Sequence, residues 1–128
     1  MNASIHVFVP FYRVEECLAE IRATLESGWT GLGGKTIEFE EAWKAALGFS
    51  HAHFTNSATS GLQLALQVLK RRGQWPDGSL VVTTPMTFVA TNHSVLHAGL
   101  CPVFADIDSQ GCLEPESVEK AIRDFPRA

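Results

Sequence analysis

Between residues 14 and 27 the apolar side chains Val14, Cys17, Leu18, Ile21 and Leu25 recur at helical spacing. They fall on one face of a helix, and Gly28 is placed to end it. A glycine-rich loop, Gly31-Leu32-Gly33-Gly34, leads to a second amphipathic stretch, 36–47. There Phe39, Ala42, Trp43, Ala46 and Leu47 share a face, and Gly48 is the expected stop. Residues 51–55 form a short segment bounded by turn formers, which predicts a strand. From Asn56 a helix is predicted to about residue 72. Its apolar residues Leu62, Leu64, Ala65, Leu66, Val68 and Leu69 nearly encircle it, the pattern of a buried helix. After the turn Pro76-Asp77-Gly78, the run at 80–83 predicts a buried strand. A helix at 87–97 ending at Gly99, a strand at 101–107 and a last helix at 116–124 behind Pro115 complete the pattern. The order is helix, helix, then strand and helix three times. Such alternation predicts an α/β fold, with a mostly parallel sheet, flanking helices and right-handed crossovers.

Length and composition narrow the class. The chain has 128 residues, 45% hydrophobic and 19% charged, which suits one globular domain at most. Ten basic and 14 acidic residues are mixed along the chain, for a net charge of −4. With no basic stripe, nucleic acid is not an expected partner. The apolar runs are too short to span a membrane, and the first ten residues lack the features of a secretory signal. A cytoplasmic location is expected. Cys17, Cys101 and Cys112 are odd in number and show no CxxC spacing, so neither a disulfide framework nor a zinc site is expected.

Two stretches carry candidate chemistry. In NSATSGLQLAL, starting at Asn56, small and hydroxyl residues sit between a predicted strand and a predicted helix. Free N–H groups and the positive end of the helix dipole meet there, so an anion such as phosphate can bind. Ser57, Thr59 and Ser60 could add hydroxyl donors, and Ala58 and Gly61 allow close approach. The same residues also describe a plain helix cap. In TPMTFVATNHSVL, starting at Thr84, Phe88 opens a helix at the carboxyl end of a predicted strand, where ligands of open α/β sheets bind. It could stack on a planar ring or be ordinary core. His93 and His97, and His51 with His53, lack a third metal ligand and read as structural or surface histidines. Glu38, Glu40 and Glu41 read as a solvated helix face.

Three ordered blocks, GWTGLGGKTIEFEEAW, NSATSGLQLAL and VVTTPMTFVATNHSVLHAGLCPVFADID, together resemble the DegT/StrS-type sugar aminotransferases, over residues 8–122. The resemblance implies the aspartate-aminotransferase fold and pyridoxal 5'-phosphate (PLP) as cofactor. It makes residues 1–128 part of the large, PLP-binding domain, with the helices at 14–27 and 36–47 preceding the sheet. By position, Ala58 and Thr59 match residues that hold the cofactor phosphate, and Phe88 the aromatic that stacks on its ring. Trp29 and Thr30 match a loop that lines the active site and its substrate. Ala58 stands where the family commonly has Gly.

The resemblance also implies what is missing. The Schiff-base lysine and the acid that faces the pyridinium nitrogen come, in the family, from later sequence. Lys35, Lys44, Lys70 and Lys120 do not occupy the lysine motif, and Asp106 and Asp108 match a different turn. No catalytic residue is therefore assigned. The expected function is that of a truncated aminotransferase, inactive alone. The complete enzyme would move an amino group from an amino acid, often glutamate, to a nucleotide-linked keto sugar, as a homodimer. A non-catalytic remnant and a fragment of a PLP-dependent sugar dehydratase remain alternatives. In the implied fold the strands at 80–83 and 101–107 pair together, whereas the strand at 51–55 lacks its neighbours. The isolated chain is thus expected to be molten, aggregated or dependent on a partner.

Overall fold

A computed structural model describes residues 8–125. The chain divides into two compact units, Met1–Phe54 and Thr55–Ala128.

The first unit contains α1 (Val14–Glu26) and α2 (Gly34–Leu47), and neither helix buries a residue. The apolar stripe of α1 forms as expected but is open, with Leu18, Ile21 and Leu25 exposed. In α2, Phe39 stacks on Trp43 one turn later, at 5.7 Å between ring centres. Phe54 meets Phe39 edge to face, also at 5.7 Å. The backbone turns left-handed at Gly48, ending α2 as predicted.

The second unit contains α3 (Ala58–Gly73), β1 (Leu80–Thr83), α4 (Val89–His97), β2 (Cys101–Phe104) and α5 (Pro115–Asp124). β1 and β2 pair in parallel, Leu80 opposite Cys101 and Thr83 opposite Phe104. This is the α/β arrangement that the alternation of patterns predicts, and the two strands expected to pair do so. The core is small. Val95, Ala98 and Leu100 are buried together, with Leu66 of α3 and Val81 of β1 packed against them. The buried hydroxyls are bonded: Ser94 Oγ donates to Ala90 O at 2.7 Å, and Thr83 Oγ1 to Asn92 Oδ1 at 3.0 Å. At the C-terminal ends of α3 and α4, Lys70 Nζ donates to Ala98 O at 2.6 Å and pairs with Asp77. Gly78 N–H donates to Gly99 O at 2.7 Å beside them.

Four expectations need correction. Residues 51–55 are not a strand: they have no ladder partner among the described residues, and Phe54 N–H donates instead to Glu40 Oε1 at 2.7 Å. A strand exists only through its neighbour's N–H and C=O groups, whatever its own sequence prefers. α3 is not buried, because only its Leu66 side meets the core, and Leu62, Leu64, Val68 and Leu69 stay exposed. β2 stops at Phe104 because β1 is only four residues long. Ala105 N–H closes the ladder on Thr83 O at 2.8 Å, and the chain then turns. α4 begins at Val89, since Pro85 to Phe88 form a turn in which Thr87 N–H donates to Pro85 O at 3.0 Å. No helix among the described residues is long and apolar enough to cross a membrane.

Candidate functional site

The N-terminus of α3 is built by its own hydroxyls. Ser57 is extended at the N-cap, and its Oγ accepts Ser60 N–H at 3.1 Å. Ser60 Oγ donates to Asn56 Oδ1 at 2.7 Å, and Thr55 Oγ1 donates to Ser57 O at 3.0 Å. The Ser57 and Ser60 hydroxyls, expected as possible ligand donors, are thus engaged within the cap. The N–H groups of Ala58 and Thr59 lie outside the helical ladder, as those of any first helical turn must. They sit at the positive end of a 16-residue helix, an arrangement suited to an anion. Ala58 is exposed, and its methyl group leaves room for close approach. Gly61 Cα lies so near Thr55 Oγ1 that an added Cβ would stand 3.4 Å from it.

In the same unit, β1 delivers the turn that carries Phe88. The Phe88 side chain is 80% exposed and occupies the N-cap of α4. Among the described residues, then, Phe88 is not core. Asn92, which the sequence reading did not single out, clasps the start of this turn. It accepts from Thr83 Oγ1 and donates through Nδ2 to Thr84 O, both at 3.0 Å.

Trp29 and Thr30 adjoin on the loop of the first unit, and both are exposed. Trp29 Nε1 donates to Leu32 O at 2.9 Å. Its indole lies over Gly33, where an added Cβ would come within 2.4 Å of Nε1. A side chain there would displace the indole. Trp29, Leu32 and Lys35 help line a cavity of about 450 Å³ within this unit.

All four lysines are ion-paired. Lys44 pairs with Glu41 at 2.6 Å, Lys120 with Asp124, and Lys70 with Asp77. Lys35 lies 2.9 Å from both Glu20 and Glu38. Its hydrogen bond to Glu20, then that to Glu38, holds its ammonium well above the usual lysine range. Of the helix face read as solvated, then, each glutamate has a partner: Lys35 for Glu38, Phe54 N–H for Glu40, Lys44 for Glu41. Asp108 Oδ1 accepts from Gln110 N–H at 2.8 Å and Cys112 N–H at 3.0 Å, the work of a turn residue. His51, His53, His93 and His97 are exposed.

Residues 12–128 match the DegT/DnrJ/EryC1/StrS aminotransferase family. The chain is 41% identical over 109 residues to the spore coat polysaccharide biosynthesis protein SpsC of Bacillus subtilis, covering 84% of this chain and 27% of that protein. It is 40% identical over 111 residues to a dTDP-4-amino-4,6-dideoxy-D-glucose transaminase of Escherichia coli, covering 82% and 28%. Among solved structures it is similar to Helicobacter pylori PseC, an aminotransferase of pseudoaminic acid biosynthesis. The TM-score is 0.70 at 33% identity, over 88% of this chain and 29% of that one. The chain therefore spans less than a third of the length of these relatives.

Proposed function

Since the chain belongs to the DegT/DnrJ/EryC1/StrS aminotransferase family, we propose that it supplies the phosphate-binding part of a sugar aminotransferase site. The family is PLP-dependent in general. That cofactor, when bound, stores the amino group of a donor and passes it to the carbonyl carbon of an acceptor. In this reading the N–H groups of Ala58 and Thr59 and the Thr59 hydroxyl hold its phosphate, and Phe88 lies against its ring. Trp29 and Thr30 face the substrate. The acceptor is a nucleotide-linked keto sugar, the donor an amino acid such as glutamate, and the working assembly a homodimer. The Escherichia coli relative, named a transaminase of a dTDP-linked amino sugar, supports that choice of acceptor.

The observation that carries the reading is the first turn of α3. It is capped by Ser57, so the N–H groups of Ala58 and Thr59 are left for a ligand. An electropositive helix end on its own is common, and family membership over nearly the whole chain makes phosphate the specific choice. The chemical step also needs a lysine that can lose and regain a proton. In this chain every lysine is paired with a carboxylate, Lys35 with two, and none occupies the family's lysine motif. The chain alone is thus proposed to bind the cofactor without turning substrate over.

Titrating the chain with PLP, followed by absorbance, tests this. Thr59→Val is expected to weaken binding by ~1–3 kcal/mol through loss of a charge-assisted hydrogen bond. Phe88→Ala should cost roughly 1 kcal/mol through lost stacking. Borohydride reduction should leave no adduct on any lysine. Unchanged affinity in both variants would show that the site is misplaced.

A further inference from the structure

The turn from Thr84 to Phe88 has few ties of its own, yet it must hold an exposed aromatic ring in one place. Within it, Met86 N–H donates to Thr84 Oγ1 at 3.1 Å and Thr87 N–H to Pro85 O at 3.0 Å. Both are local bonds, and an exposed contact between the Thr87 and Thr91 hydroxyls at 3.2 Å links the turn to α4. The part-buried attachment, and the one that reaches the strand end, comes from Asn92. Its Oδ1 accepts from Thr83 Oγ1, and its Nδ2 donates to Thr84 O. Thr83 is buried, and Asn92 and Thr84 are half-buried, so these bonds are shielded from competing water. Asn92 lies in the first turns of α4, the helix whose N-cap is Phe88. The amide thus ties the strand end that enters the turn to the helix that leaves it. Only a side chain with a donor and an acceptor on one short amide can make both bonds. Aspartate keeps the acceptor but sets a carboxylate oxygen against Thr84 O, and leucine loses both.

We propose that Asn92 is a positioning residue that fixes the Thr84 to Phe88 turn, and with it the Phe88 ring. Its functional consequence rests on the reading that Phe88 lies against the cofactor ring. Asn92 itself touches neither cofactor nor substrate. Its removal should therefore affect recognition of the ring and spare recognition of the phosphate.

Two measurements on the 128-residue chain test this. The first uses no ligand: amide hydrogen exchange in Asn92→Asp, and in Thr83→Val, which removes one bond and preserves shape. Faster exchange is expected at Met86, Thr87 and Thr91, with Ala98, Leu100 and Cys101 unchanged. Unchanged exchange in the turn, or equal acceleration throughout Thr55–Phe125, would overturn the clasp. The second is competition between PLP and inorganic phosphate. Asn92→Asp should weaken PLP binding about three- to tenfold, the scale of one lost hydrogen bond, and leave phosphate binding unchanged. Added to Phe88→Ala, it should cause little further loss. Equal weakening of PLP and phosphate would mean a merely structural role and overturn the proposal. If the parent chain bound neither, the cofactor reading would fall, and the exchange data would still decide the clasp.

Discussion

The two units of this chain show two ways in which a helix can be present. In the first, α1 and α2 have amphipathic sequences, local ion pairs and a small aromatic cluster, but bury nothing. In the second, α4 is shorter than either, yet Ser94 and Val95 are buried and Ala98 follows in the same core. Isolated helices of fewer than ~12–15 residues are marginal in water, and most helical stability in proteins comes from packing. Helical patterning in α1 and α2 therefore records a face meant for contact, whereas α4 has its contact within this chain. If the chain is molten or partner-dependent, as the sequence leads one to expect, instability should begin in residues 14–54. The second unit has exposed apolar residues too, including Val68 and Leu69 of α3, but it also has a closed polar junction and a core.

The largest effect on this contrast should come from Leu100→Ala. Leu100 belongs to the buried cluster, and truncation there should cost about 2–5 kcal/mol, enough to reduce the second unit to the state of the first. A thermal melt followed by circular dichroism would show the transition shift or vanish. Next comes Gly99→Ala. Gly99 has φ +71°, and a Cβ there would approach Asp77 Oδ1 to 3.0 Å and Lys70 Nζ to 3.2 Å. The left-handed backbone alone should cost about 1–2 kcal/mol, measured by the same melt.

Smaller still is the effect of acid on the Lys70–Asp77 pair. Its hydrogen bond to Lys70 holds the Asp77 carboxyl below its ordinary 3.8. Its contribution is thus present above that value and lost as pH falls through the lower folded value. Asp77→Asn should remove that acid dependence and alter the second unit alone. The smallest effect belongs to Lys35→Met. The raised titration of Lys35 makes its ion pairs available below 10.5 and lost only as pH rises through the higher folded value. The group is fully exposed, so added salt should erase any difference from the parent. A clear loss of helicity at moderate salt would show that the first unit relies on charge more than this comparison allows.

Much of the architecture was legible because local signals and tertiary demands agree. The period of α1, the stop at Gly48, the proline at the start of α5 and the β-branched run of β1 each sit where the pattern put them. Residues 51–55 failed because pairing depends on a neighbour that no local sequence encodes. α3 was misread as buried because its apolar residues state what could be covered, and only Leu66 finds cover here. For the site, the cap at Ser57 was readable from residue type. The choice between a cap and a phosphate cradle came from three blocks taken together, and matches over residues 12–128 support the family. The Asn92 clasp was not readable, since its two bonds reach back eight and nine residues to a strand end whose position only the fold defines. The hold of Gly33 on Trp29 is likewise a matter of space.

The central claim is that this chain keeps its packed structure in Thr55–Phe125 and not in α1 and α2. Residue-resolved amide hydrogen exchange on the isolated chain measures it directly. The account predicts slow exchange at Ala98, Leu100, Cys101 and Ala105, whose N–H groups are bonded in the core and the ladder. It predicts fast exchange throughout Val14–Glu26 and Gly34–Leu47. Equal protection in both units, or none in either, would contradict it.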